Sequence, residues 1–267
     1  MPAQLPRADA IQATADLLYQ HWQQRSLLAG LPDQIRPYTR ADGYAIQAKL
    51  EARSQLALFG WKIAATSKAG QAHINVEGPL AGRLLAERVA PLDEPVILGA
   101  NQMMVAEPEF AFRLGRDLPP QATARSVSEV MAAVAALHLA IEIPDSRYID
   151  FVSVGAPQLI ADNACADQFI LGPAAPAFWR DLDLAQHRVT ATVVGKLQRD
   201  GAGANVLGDP CVALTWLANE LSQLGVTLRA DEIVTTGTCM APLPIVPGDE
   251  VIANFGVLGL MSTRFLG

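Results

Sequence analysis

The stretch Met104-Val-Ala-Glu107-Pro-Glu109-Phe-Ala-Phe-Arg113 puts two carboxylates into otherwise apolar surroundings. In extended backbone successive side chains alternate faces, so Glu107 and Glu109 point the same way. Repulsion and desolvation both oppose two ionised carboxylates held side by side in such a setting, unless a cation sits between them. A hard divalent metal is the simplest such cation. Pro108 removes one ladder donor between the glutamates and so places them at an edge or an irregular part of a sheet, a position open to a ligand.

Burying a segment of this kind requires a sizeable core. With 267 residues, 51% of them hydrophobic, the chain can build one large domain or two small ones. A formal charge of -7 without a Lys/Arg cluster excludes an electrostatic footprint for nucleic acid or an anionic membrane surface. The expected partner is a small molecule. The longest apolar run, residues 130 to 143, is interrupted by His138 and Glu142 and is too short to span a bilayer. No basic region followed by an apolar stretch opens the chain, and Cys165, Cys211 and Cys239 are odd in number and scattered. Both features predict a cytoplasmic protein with reduced thiols.

Apolar spacing predicts a helix from about Arg7 to Leu31 and a second, capped by Thr39, from Ala41 to Ser54. A short strand follows at Gly60-Trp-Lys62-Ile63. Lys62 stands in this apolar strand either as a snorkelling surface residue or as a proton-handling group governed by nearby carboxylates. Residues 66 to 83 lack a period and contain Gly70, Gly78, Pro79 and Gly82, which predicts a mobile loop over a site. Within it His73 and Glu77 lie four apart, an acid/base dyad if they share a short helix and two solvated polar residues otherwise. Ser126-Val-Ser-Glu129 is a capping box that predicts a helix to about Leu139. The next strand carries Glu142 between Ile141 and Ile143. This residue reads as a third carboxylate ligand or as half of a buried ion pair with Arg147. Arg199-Asp200-Gly201-Ala202-Gly203 predicts a hairpin turn rather than a dinucleotide site, since the strand, helix and downstream acid of such a site are missing. Near the end, Thr236, Gly237 and Thr238 offer hydroxyl and backbone donors to a carboxylate. Many short strands after the opening helices, with no repeat and no low-complexity linker, predict one α+β domain with a mixed, largely antiparallel core.

Several of these fragments, taken together and in order, resemble one family. They are Gly60-Trp-Lys62-Ile63 with Thr66-Ser67, Glu107-Pro-Glu109, Ile141-Glu142-Ile143-Pro-Asp145-Ser146-Arg147, Ala161-Asp162-Asn163-Ala, and Thr236-Gly237-Thr238 with Pro247-Gly248-Asp249. The family is that of the 2-oxopent-4-enoate hydratases and 4-oxalocrotonate decarboxylases, within the fumarylacetoacetate hydrolase superfamily. The resemblance implies a mixed β-roll of the fumarylacetoacetate hydrolase C-terminal type, over residues 59–267, behind an N-terminal helical arm over residues 1–58. It also implies Mg²⁺ or Mn²⁺ on Glu107, Glu109 and Glu142, Lys62 at the reacting atoms, and association into a homo-oligomer. Thr66, Ser67, Asn163, Thr236, Gly237 and Thr238 are the implied contacts to a short 2-oxo acid.

The implied reaction runs through an enolate, as hydration of 2-hydroxypenta-2,4-dienoate to 4-hydroxy-2-oxopentanoate or a related decarboxylation. Two positions depart from the family pattern. Ala64 follows the Lys-Ile pair where glycine is common, and Leu80 follows the lid proline where the hydratases tend to carry an acid. Two alternatives follow from these departures. One is a C–C bond hydrolase of an acylpyruvate or maleylpyruvate that uses lid residues His73 and Glu77; the other is a non-catalytic binding protein with a decayed site.

Overall fold

The computed structural model describes residues 7–267. In chain order its principal elements are α1 (Arg7–Gln24), α2 (Arg40–Gln47), β1 (Leu58–Ala64), α3 (Lys68–His73), β2 (Leu80–Leu85), β3 (Val96–Ile97), β4 (Val105–Leu114), α4 (Val127–Met131) and β5 (Val134–Ile143). There follow α5 (Ala156–Ala161), β6 (Gln168–Ala174), β7 (Arg188–Val193), β8 (Leu197–Ala202), α6 (Pro210–Gln223), β9 (Ile233–Thr238), β10 (Leu243–Pro244), β11 (Glu250–Asn254) and β12 (Leu260–Leu266). Short 3₁₀ turns join them. No helix of the described residues is long and apolar enough to cross a membrane.

The strands form two sheets. The larger runs β2-β1-β9-β4-β5-β6, with β10 added to β4, and the smaller runs β3-β12-β11-β7-β8. Pairing is antiparallel except between β1 and β9 and between β12 and β3, as a mixed, largely antiparallel core requires. β4 and β5 pair from Glu107 to Leu114 against Glu142 to Val134 and are buried on both faces along much of that length. β12, by contrast, alternates exposed and buried residues and so shows one face to solvent. Phe110 of β4 meets Phe255, just after β11, edge to face at 5.3 Å between ring centres, and this contact ties the two sheets into a common core.

Helices α1 and α2 pack through Ala15, Leu18 and Ile46 against Tyr148 and Ala161. The Trp22 ring lies between the guanidinium groups of Arg88 and Arg147, and its Nε1 donates to the buried Asp167 at 2.7 Å. The opening helix is thus fixed by an aromatic and charged anchor as well as by area.

Four local expectations are corrected. Helix α1 stops at Gln24, short of Leu31. Residues 66 to 83 are not one loop: Ser67 caps α3, and β2 begins at Leu80 with all six of its residues buried. The predicted helix after Ser126 keeps its capping box but ends at Met131, after which the apolar run becomes β5. A strand buried on both faces shows no period of two, so neither β2, although at the end of its sheet, nor β5 announces itself by alternation. Finally, the hairpin between β7 and β8 turns at 194–196, around Gly195 with φ 71°, and residues 199–202 lie within β8.

Gly201 is needed for a different reason. A Cβ there would stand 2.1 Å from the Cys239 carbonyl oxygen, so β8 lies against that backbone only because the position is glycine. Gly201→Ala is therefore expected to cost about 2 kcal/mol through overpacking and to lower Tm by about 5 °C in thermal denaturation followed by circular dichroism. An unchanged Tm would remove this account of the contact.

Candidate active site

Lys62 on β1 and Glu142 on β5 are separated in the large sheet by β9 and β4. At the usual strand spacing that is roughly 14 Å across a flat sheet, with side chains standing perpendicular to it. Lys62 Nζ nevertheless lies 2.8 Å from Glu142 Oε1, so the sheet curls until its two flanks face each other. The parallel β1–β9 pairing places Lys62 beside Thr235, and the β4–β5 register sets Glu107 directly opposite Glu142. Glu107, Glu109 and Glu142 each offer an oxygen to one point, the three atoms lying within 4.8 Å of one another. This cluster sits under a cavity of about 1020 Å³ whose wall includes Lys62 and Glu107.

Lys62 is only 2% exposed, which rules out a snorkelling surface role. Its ammonium has a second partner in the Ala164 carbonyl oxygen, 3.2 Å away. Glu142 pairs with this lysine and not with Arg147, which is engaged by Asp162. Pro108 lies inside β4, away from any sheet edge, yet at an irregular seam. Its carbonyl accepts from Cys239 N, while the β4–β9 register shifts between Glu109 and Ala111. Glu109 Oε2 accepts from Thr235 Oγ1 and from Gly237 N, the latter at 2.7 Å.

The other expected contacts divide. Thr66, Ser67, His73, Gly237 and Thr238 border the cavity. Gly237, however, gives its N–H to Glu109, leaving no backbone donor there for a ligand, and its φ of 106° packs it against the Thr66 side chain, where a Cβ would meet Oγ1 at 2.1 Å. Thr236 and Asn163 are placed otherwise than expected. Thr236 is buried and donates to Phe110 O. Asn163 is buried with its amide bridging the backbone N–H and carbonyl of Arg83 on β2. Helix α3 ends at His73, so Glu77 does not share a helix with it; Glu77 is exposed beyond the helix and does not border the cavity. Leu80 is fully buried, paired with Ala64.

Thr235 is the site residue that sequence reasoning passed over. Its signal was its place in the same apolar strand as Gly237, two residues away and so on the same face. Phe151, Met103 and Met240 on the cavity wall come from connecting segments and carry no period that would reveal them.

Burial raises all three carboxylates, and the Glu142 charge raises the other two further. Glu107 is pushed up to about 7 by desolvation and by Glu142, against the pull of Lys62. Glu109 stands well above its ordinary value from burial, then Glu142 and Glu107, with the Thr235 hydroxyl opposing. For Glu142 burial outweighs the ion pair with Lys62. Burial alone would lower Lys62; Glu142 and then Glu107 outweigh it and hold the ammonium above its ordinary range. Glu109 Oε1 and Glu142 Oε2 are buried with no hydrogen-bond donor. Oxygen atoms left unsatisfied at one point, on groups short of positive charge, fit a hard divalent cation.

The profile of the family described as fumarylacetoacetate (FAA) hydrolase C-terminal matches residues 72–266. The chain is 31% identical over 258 residues to a 2-keto-4-pentenoate hydratase of Paraburkholderia xenovorans (strain LB400), covering 95% of this chain and 94% of that protein. It is 29% identical to a 4-oxalocrotonate decarboxylase of Pseudomonas sp. (strain CF600), covering 85% and 86%. Among solved structures, 4-oxalocrotonate decarboxylase from Pseudomonas putida G7, complexed with magnesium and adipate, superposes with a TM-score of 0.88 at 27% identity, over 98% of this chain and 99% of that one.

A carboxylate whose pKa is higher in the folded chain than in the unfolded one favours folding while protonated and opposes it once ionised. Between the ordinary glutamate range, near 4.5, and about 7 for Glu107, the metal-free protein therefore loses stability as pH rises. Glu107→Gln removes this dependence. Its Tm relative to wild type is expected to improve from pH 5 to pH 8 in the presence of a chelator, and parallel Tm profiles of the two proteins would contradict the assignment.

Proposed function

This chain belongs to the FAA hydrolase C-terminal family, and on that premise we propose that it is a divalent-metal-dependent lyase acting on a short 2-oxo acid through its enolate. The reaction is hydration of a 2-hydroxydienoate, such as 2-hydroxypenta-2,4-dienoate to 4-hydroxy-2-oxopentanoate, or decarboxylation by the same enolate. The observation that carries this reading is the convergence of Glu107, Glu109 and Glu142 beside the buried Lys62 at a cavity wall. The names of the hydratase and decarboxylase relatives support it.

Glu107, Glu109 and Glu142 would hold the cation, and Mg²⁺ or Mn²⁺ suits an all-oxygen set. Bound there, it would supply Lewis-acid stabilisation to the carboxylate and 2-oxo oxygens of the substrate. Thr235 and the Gly237 N–H hold Glu109 in place. Lys62 spends two of its three N–H bonds on Glu142 and Ala164 O. The third is available to the substrate, as a positive charge beside the 2-oxygen and as a proton donor to the carbon chain. The Thr66 hydroxyl stands on the wall for polar contacts, that of Thr238 donates to Met240 O, and Phe151 and Met240 keep water from the chain end. With Leu80 in the core, Lys68 and His73 are the titratable groups on the α3 side of the cavity, and we assign the handling of the added water to His73. Association into a homo-oligomer belongs to the same proposal and is checked by light scattering.

A turnover screen with Mg²⁺ or Mn²⁺ against dienol, oxalocrotonate and acylpyruvate substrates tests the reading. Dienol hydration or oxalocrotonate decarboxylation is expected, abolished by chelator, with Lys62→Met lowering kcat by roughly 10²- to 10⁴-fold. Glu77→Gln should leave turnover within about twofold, since Glu77 lies outside the cavity. The hydrolase reading draws on the presence of His73 at the cavity. Pyruvate release from an acylpyruvate, lost on replacing Glu77, would establish it in place of the lyase. Absence of any bound divalent ion in metal analysis, together with an unaffected Glu109→Gln variant, would leave only a binding protein.

A further inference from the structure

Asn163, Ala164 and Cys165 are consecutive, none is glycine, and all have left-handed backbone, with φ of 55°, 51° and 61°. Left-handed conformation costs L-residues roughly 1–2 kcal/mol each, and three in a row persist only where the surroundings over-determine them.

The surroundings do so here. Buried Arg147 spends its guanidinium on this turn, donating to the carboxylate and backbone carbonyl of Asp162 and, at 3.1 Å, to Ala166 O. The Asp162 carboxylate also accepts from Ser146 Oγ at 2.7 Å and Arg147 N at 3.1 Å. The Asn163 amide grips both backbone groups of Arg83 on β2. Of the turn's carbonyls, that of Asn163 accepts from Ala166 N and that of Cys165 from Asp145 N. The Ala164 carbonyl instead meets Lys62 Nζ at 3.2 Å, at the cavity wall where Ala164 and Cys165 both lie.

We infer that the 163–165 turn, locked by Arg147 and Asp162, is a positioning device for the Lys62 ammonium: it directs one N–H to Ala164 O so that, with another on Glu142, the third faces the cavity. A lysine on four flexible carbons has no fixed aim of its own, since its ammonium rotates freely. Two acceptors in fixed positions remove that freedom. Glu142 supplies one of them and cannot fix the rotation alone. Strain retained beside a reacting group, at a cost in stability, is the pattern expected where orientation is selected over stability. Arg147 and Asp162 are positioning residues, since they touch none of the reacting atoms and act on Lys62 through this turn. The link to turnover rests on the lyase reading above; the geometry of the ammonium does not.

Ala164→Gly tests the device because it relieves the strain without touching Arg147, Asp162 or Lys62. Tm is expected to rise by about 1–3 °C, while kcat falls about tenfold and KM stays within about twofold. Asp162→Asn, which weakens the lock, is expected to lower kcat in the same way while Tm falls. A readout independent of activity uses ¹⁵N-lysine labelling, since Lys49, Lys62, Lys68 and Lys196 are the lysines of the sequence. The buried Lys62 ammonium, assigned by its absence in Lys62→Met, should exchange its protons slowly in the wild type and markedly faster in Ala164→Gly. If Ala164→Gly raises Tm but leaves kcat and ammonium exchange unchanged, the turn is structural only and the inference fails. If the wild type turns over none of the substrates, the lyase reading fails, and the exchange experiment still decides whether the turn positions Lys62.

Discussion

Three carboxylates within 4.8 Å of one another, answered by one buried ammonium, set the terms for the rest of this structure. At that separation each like-charged pair repels by about 3–4 kcal/mol at an effective dielectric constant of 20. No protein tolerates such a point without a scaffold that denies the side chains any escape. β4 and β5 provide it: they pair from Glu107 to Leu114 against Glu142 to Val134, with Phe110, Phe112, Leu137 and Leu139 fully buried. The glutamates stand on this strand pair, Glu109 and Glu142 buried and Glu107 facing the cavity. A divalent cation changes the sign of the balance at the cluster, so the same packing that holds the charges together makes an oxygen cage for a hard ion.

How much of this was legible in the sequence depended on whether a residue's chemistry clashed with its neighbours. Glu107, Glu109 and Glu142 were conspicuous because each is a charge among apolar residues, and Lys62 for the same reason; the structure brings all four to one point. Thr39 declared its helix start as a cap and Ser126 through a capping box; the structure retains both and adds the reciprocal Asp42 contact at Thr39. β5 was half misread because a strand buried on both faces carries no alternation, and the capping box ahead of it spoke for a helix that lasts only to Met131. Thr236 and Asn163 are polar residues of the kind that serve substrates or scaffolds equally well, and only their hydrogen bonds show which.

The same limit applied to the lid. Gly78, Pro79 and Gly82 mark turns and close approaches, but they do not say that Leu80 lies inside a sheet. Once it is placed there, paired with Ala64, the two departures from the family pattern become neighbours. Both bring apolar bulk to the junction of β1 and β2, at the end of the strand that carries Lys62. They describe one altered patch of packing, where the sequence had suggested two separate losses.

The place of β9 in the large sheet bears on how the protein comes into being. This strand lies between β1 and β4, parallel to the first and antiparallel to the second, although some 120 residues separate it in sequence from β4. Until it inserts, Lys62 and the three glutamates belong to two unconnected halves of a sheet. A chain growing from the ribosome therefore carries every ionisable group of the centre long before it can assemble them, and the final assembly waits for residue 238. Because the three glutamates share the directly paired β4 and β5, a chain short of β9 holds the carboxylates without the ammonium that answers them.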